Sequence, residues 1–180
     1  SVIGIGYMFA EMVFIQQFTL FFGSPLYAAS AVLSAMLFFS GIGSACSQKL
    51  VTGSVRLRLV AGVIAVLLAL LALCLPALMR AAMGSPLPVK VLLCAMVIGP
   101  PAFLMGMMFP SAIRAIRQVS DGSLIPWAWA VNGSFSVIST ALAAVISVEA
   151  GYQTVMLVAV AAYLLAGIST RFRLFSIFVK

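Results

Sequence analysis

Apolar runs about as long as a bilayer is thick recur along this chain, and few charges interrupt them. A membrane-spanning α-helix needs about 20 consecutive apolar residues, each adding about 1.5 Å. Six windows reach or approach that length: 2–22, 26–47, 57–79, 87–113, 125–148 and 152–168. The fourth is long and the sixth is short. Of the 180 residues, 64% are hydrophobic and 7% charged, whereas a soluble domain carries about 25% charged residues. In lipid an unpaired backbone group is costly, and a helix satisfies its own, so the chain has to be all-α. The expected fold is a polytopic integral membrane helical bundle: one transmembrane domain over 1–180, with about six transmembrane helices. No strand periodicity, soluble domain or internal repeat is visible. The first run has no basic leader and is too long for a signal core, so it reads as a span. Because it opens on Ser1, the chain is expected to be processed or a piece of a longer polypeptide.

The net charge is +7, and its placement decides what it means. Lys49, Arg56 and Arg58 lie between the second and third spans, Arg114 and Arg117 follow the fourth, and Arg171, Arg173 and Lys180 follow the sixth. The alternate loops hold only Arg80 and Lys90. This asymmetry is a positive-inside signal and predicts that both termini are cytoplasmic. The basic charge is thus a topology device, and nucleic acid is not an expected partner. The chain has no histidine, which removes the commonest metal ligand and near-neutral proton carrier. Cys46, Cys74 and Cys94 form no ligand spacing. Cys74 and Cys94 flank one outer loop and could approach each other, but two separate thiols in lipid is the plainer reading. Met105, Met107 and Met108 would suit a soft metal, yet no further ligand accompanies them. No cofactor and no metal are expected.

The connections are short. Gly23-Ser24-Pro25, the polar segment 48–58, Gly84-Ser85-Pro86, the segment 118–126 with its Asp121-Gly122 turn, and a tight turn at 149–153 join the spans. Such links imply antiparallel neighbours. Inside the fourth span, Gly99-Pro100-Pro101 removes two donors and crowds the preceding turn. A kink or break is expected at Pro100 and Pro101, either as a fixed bend or as a half-helix bordering a site.

Glu11 stands near the middle of the first run, and the protein has only three acidic residues. A carboxylate at membrane depth is costly unless protonated, paired or hydrated, so Glu11 is a candidate site residue. Counting along helices, Glu11 lies about 14 Å, Asn132 about 9 Å and Ser40 about 10 Å from the inner ends of their spans. Pro110 and Ser111 approach the same level. Tyr7 shares a helix face with Glu11, as does Gly4, and Gln16 lies deeper. Two readings follow: a pocket open to the cytoplasmic side with Glu11 at its floor, or an interhelical hydrogen-bond cluster with Glu11 neutral or bonded to Asn132 or Tyr7. The second is the expected one, since such bonds hold membrane helices together at about 0.6–2 kcal/mol each. Ala128, Asn132, Ser136, Thr140 and Ala144, with Ser40, Gly41, Gly43 and Ser44, form small-residue stripes that read as packing surfaces. Trp127 and Trp129 read as interfacial anchors.

The segments GIGYMFAEMVFIQQFTLFFGSPLYA, LFFSGIGSACS, FLMGMMFPSAIR and PWAWAVNGSFSVIS occur in that order. Together they resemble the membrane portion of spermidine synthase-like polytopic proteins, in which a cytoplasmic aminopropyltransferase-type domain is fused to membrane helices. The matching positions are Glu11, Gln16, Gly23, Pro25, Ser40, Gly41, Gly43, Pro110, Trp127, Asn132 and Gly133. The resemblance implies an accessory or fused arrangement, and the bacterial inner membrane is the expected location. The chain itself has no nucleotide loop: Gly4-Ile5-Gly6 opens a membrane helix rather than ending a strand. Three scattered acids cannot grip a polyamine, so no catalytic residue is assigned. The expected function is a non-catalytic integral membrane domain or subunit that anchors or supports a larger assembly. Its expected partners are the lipid bilayer and either protein subunits or a fused cytoplasmic domain. Two alternatives stand beside it. One is a small transporter-like bundle with a polar site near Glu11 and Asn132, gated at Pro100-Pro101. The other is a membrane-tethered aminopropyltransferase whose catalytic domain lies outside this chain.

Overall fold

The computed structural model describes residues 2–117 and 122–169, and every regular element among them is helical. There are five helices: α1 (Val2–Phe22), α2 (Pro25–Leu50), α3 (Gly53–Ala81), α4 (Leu87–Arg117) and α5 (Ile125–Ser169). Each is long and apolar enough to cross a membrane. The expected Asp121 turn and the basic residues after 169 lie outside the described residues.

The count is five rather than six because the last two expected spans are one helix by hydrogen bonding. That helix is 45 residues long, about 67 Å if straight, against a hydrocarbon core of about 30 Å. It is not straight. A Cβ added to Gly4 would lie 2.7 Å from Ser136 Oγ and 2.8 Å from Asn132 Oδ1, and one added to Gly6 would lie 2.8 Å from Tyr163 Cε2. Residues some 30 positions apart in α5 thus flank the same turn of α1, so the chain doubles back between them. The reversal falls at Gly151, the one non-helical residue inside α5, with φ 81° and ψ 161°. This backbone region is essentially restricted to glycine. One glycine therefore replaces the broader 149–153 turn.

One other expectation changes. The polar inner loop 48–58 is almost entirely helical, because only Val51 and Thr52 separate α2 from α3. Helical hydrogen bonding does not stop where the apolar run ends, so Lys49, Arg56 and Arg58 sit on helix ends. The fourth span, where a kink or break is expected at Pro100 and Pro101, is one helix by hydrogen bonding through Pro100, Pro101 and Pro110, so no half-helix ends there. Proline fixes φ near the helical value, and the hydrogen-bonded turns on both sides continue the helix across the lost donors.

Packing follows the small residues. Gly43 of α2 lies against the Phe103 carbonyl of α4, and Gly106 of α4 against the Ser40 backbone of α2. Both helices run in the same direction, and neither glycine has room for a Cβ. α1 packs on both arms of α5, on α2 and, more lightly, on α3 and α4. Its buried side chains include Phe9, Phe14, Phe18 and Phe21, which meet Ile64 and Leu68 of α3, Met105 and Met108 of α4 and Tyr163 of α5 in one core.

The ends of the bundle differ in charge. At one end the Arg114 guanidinium meets Ser47, and Gly167 packs against Ala61 and the Arg58 carbonyl. Lys49, Arg56, Arg58, Arg114 and Arg117 all belong to this basic end. At the opposite end the Lys90 Nζ donates to the Phe21 carbonyl at 2.8 Å and stands 5.0 Å from the centre of the Phe21 ring, closing the C-terminus of α1. Arg80 and Glu149 also lie towards this end.

Candidate functional site

The inner polar group forms where α1 meets α2 and α5. Tyr7 and Glu11 are one turn apart on α1, both half-buried. The Tyr7 hydroxyl is hydrogen-bonded to Ser40 of α2 and lies close enough to Glu11 to feel its charge. The Ser40 hydroxyl also reaches the Leu37 carbonyl at 3.4 Å. Tyr163, on the returning arm of α5, is fully buried and adjoins Tyr7 electrostatically. Glu11, Tyr7 and Ser40 are thereby brought together.

Asn132 is positioned differently. It packs on the bare face of α1 at Gly4, beside Ser136, and its Oδ1 is buried without a hydrogen-bond partner. The Tyr163 hydroxyl is likewise buried and unpartnered. The Ser136 hydroxyl does not help Asn132 Oδ1, because it donates back to the Asn132 main-chain carbonyl at 2.8 Å. Gln16 stands apart from this group: its Oε1 accepts from the Ser147 hydroxyl at 2.5 Å and ties α1 to the first arm of α5. Pro100 and Pro101 lie inside continuous α4, so they supply no half-helix terminus to the polar group.

Tyr163 and Ser147 were not among the sequence candidates. Tyr163 had a visible signal, a phenol in the middle of the last apolar run. Its neighbour on α1, Gly6, is given only by the structure. A second cluster, also unforeseen, sits at the basic end. Arg114 donates from Nη1 to the Ser47 hydroxyl at 2.9 Å, and from Nη2 to the Ser47 carbonyl at 2.9 Å and to the Ser111 hydroxyl at 2.8 Å.

Two grooves lie elsewhere. A groove of about 650 Å³ runs between the end of α1, the first half of α2 and the start of α4, walled by Phe22, Tyr27, Ala31, Phe38, Phe39 and Val91, with Ser30 and Ser34. A smaller one of about 310 Å³ lies at the opposite end from the basic cluster, beside Gln17, Arg80 and Tyr152. Neither is lined by Glu11. The cysteines are free, with Cys74 exposed and Cys94 buried, so the two thiols that could have met do not pair. Among the described residues no three His, Cys, Asp or Glu side chains lie where they could hold a metal ion.

The polar group can therefore hydrogen-bond helices together. Its side chains are the Glu11 carboxyl, the Tyr7 and Tyr163 phenols and the Ser40 hydroxyl, with the Asn132 amide against Gly4. Comparison with known proteins finds no matching family model, no matching curated protein and no matching solved structure.

Proposed function

We propose that this chain is a non-catalytic integral membrane domain or subunit that anchors or supports a larger assembly, and that it is the membrane portion of a spermidine synthase-like protein. The observation that carries the first part is the bare outer face of the first arm of α5. Over residues 125–148 only Ser139 and Ala143 are buried. Ala130, Gly133, Ser134, Val137 and Ala141 are exposed on the outside, and a Cβ on Gly133 would meet nothing within 4 Å. Small residues let a second helix approach closely, and close packing drives helix association in lipid. The second part rests on the ordered sequence segments. The basic end suits the cytoplasmic side by the positive-inside rule, and a cytoplasmic partner domain would meet the bundle there.

The test is cysteine cross-linking in native membranes. In a background with Cys46, Cys74 and Cys94 replaced, Gly133→Cys is expected to form an adduct with a protein partner, while Leu73→Cys on exposed α3 forms none. A bundle that stays uncrosslinked at position 133 and runs as a functional monomer in mild detergent overturns the assembly reading.

A transporter-like reading is favoured by one observation, two buried polar atoms without partners, Asn132 Oδ1 against Gly4 and the Tyr163 hydroxyl next to Tyr7. It requires these atoms to be wetted or liganded in the working protein, and Tyr163→Phe then lowers stability.

A further inference from the structure

We propose that the basic end of the bundle holds the phosphodiester of an anionic phospholipid at Arg114, with Lys49 and Arg117 beside it. Arg114 is half-buried between the ends of α2 and α4, and its guanidinium is fixed by the three bonds to Ser47 and Ser111. Ser47 and Ser111 are themselves anchored, donating to the Ser44 carbonyl at 2.6 Å and the Met107 carbonyl at 2.7 Å. A guanidinium carries five N–H donors, so the Nε–H and one Nη1–H remain, each able to give a charge-assisted bond to a phosphate oxygen.

Charge balance points the same way. Two parallel helices, α2 and α4, end here, each contributing about −0.5 of dipole charge. Against these stand three full positive charges on Lys49, Arg114 and Arg117. Of the three acidic residues, Glu11 is at mid-depth of α1 and Glu149 is at the opposite end; Asp121 follows Arg117 by four residues in the sequence, and a single carboxylate leaves the group of three cations net positive. The depth also fits a headgroup. Arg114 is one turn, about 4.5 Å, from the end of α4. Five residues further in, Phe109 stacks edge-on against exposed Trp129 with ring centres 4.7 Å apart, and tryptophan favours the headgroup level. Lys49, two residues after Ser47, and Arg117, one turn after Arg114, are exposed, and each basic residue near an anionic surface gains about 1 kcal/mol, roughly a fivefold preference.

The experiment uses the full chain reconstituted with mixed phosphatidylglycerol and phosphatidylcholine vesicles, re-extracted in mild detergent, with retained lipid counted by mass spectrometry. Phosphatidylglycerol is expected to be enriched over its bulk ratio by roughly fivefold or more. Lys49→Gln with Arg117→Gln, which leaves the Arg114 clamp intact, should lower that enrichment severalfold with helical content unchanged. Arg114→Lys, which keeps the charge and loses the planar group held by Ser47 and Ser111, should lower it too. Retention at the bulk ratio, or enrichment unchanged in folded Arg114→Lys and in the folded double variant, overturns the proposal. Stabilisation of the lipid-free protein by inorganic phosphate equal to that given by the lipid also overturns it, since the site would then belong to a free anion. So does loss of a co-purifying acidic protein from the variants with lipid retention untouched.

Discussion

Tyr163 is where the polar group is least comfortable. Its side chain is fully buried, and its hydroxyl has no partner. A buried hydroxyl without a hydrogen bond costs about 1–3 kcal/mol. Tyr163→Phe removes that cost while keeping the ring against Gly6, so the variant is expected to be as stable as the parent or more stable by about 1 kcal/mol. Thermal unfolding in detergent followed by circular dichroism measures it. A clear loss of stability would show that the hydroxyl is satisfied in the working protein by a water or a solute, and would favour the transporter-like reading. How much of this site the sequence revealed depends on the residue. Tyr7, Glu11 and Ser40 were legible because helix spacing and depth place them at one level. Asn132 was legible as a packing residue on a spacing-of-four stripe, but its unsatisfied Oδ1 was not. That depends on Ser136 donating back to the Asn132 carbonyl, a choice of rotamer that sequence does not encode. Arg114 read only as a topology charge, because its bonds to Ser47 join residues 67 positions apart.

The helices show why boundaries are harder to read than spans. α1 matches its apolar run, Val2–Phe22, because Gly23 with φ 71° and Pro25 punctuate its end. α3 starts at Gly53, four residues before its apolar run, since basic residues continue a helix beyond the hydrocarbon. The reversal in α5 falls inside the tight turn expected at 149–153, although it needs only one non-helical backbone conformation, at Gly151. At the α2–α4 seam, by contrast, the small residues were a reliable guide, and the structure separates those that need glycine from those that merely have it. A Cβ on Gly43 collides with the Phe103 carbonyl, and one on Gly106 with the Ser40 backbone, whereas one on Gly41 meets nothing within 4 Å. Backbone cannot rotate aside as a side chain can. Gly43→Ala and Gly106→Ala are therefore expected to cost at least the upper part of the about 1–3 kcal/mol typical of overpacking. Gly41→Ala should be neutral or stabilise by about 0.4–1 kcal/mol through the unfolded chain. Unfolding of the three variants in the same detergent compares them directly. Equal behaviour of Gly41→Ala and Gly43→Ala would contradict the close approach of α2 and α4.

At the scale of the whole molecule, the division of charge between the two ends sets how the bundle should sit in its membrane. Lys49, Arg56, Arg58, Arg114 and Arg117 share one end, and Arg80 and Lys90 approach the other, where Glu149 offsets one of them. Lys90 is further committed to the Phe21 carbonyl, so its charge closes a helix end as well as marking a side. Basic residues close to span ends are retained on the cytoplasmic side during insertion, and the proposed orientation puts the Arg114 end there. Gly84, in the exposed turn between α3 and α4, and Thr52, in the exposed turn between α2 and α3, lie at opposite ends. In a chain with its three native cysteines replaced, Gly84→Cys is expected to react with a membrane-impermeant maleimide in intact cells, and Thr52→Cys only after permeabilisation. The reverse pattern would invert the orientation, and labelling of both in intact cells would remove the closed bundle on which it rests. The proposed orientation has a consequence for the lipid site as well. Arg114 then faces the cytoplasmic leaflet, where anionic lipid concentrates, so phosphatidylglycerol confined to that leaflet of asymmetric vesicles should be retained while the same lipid in the other leaflet is not.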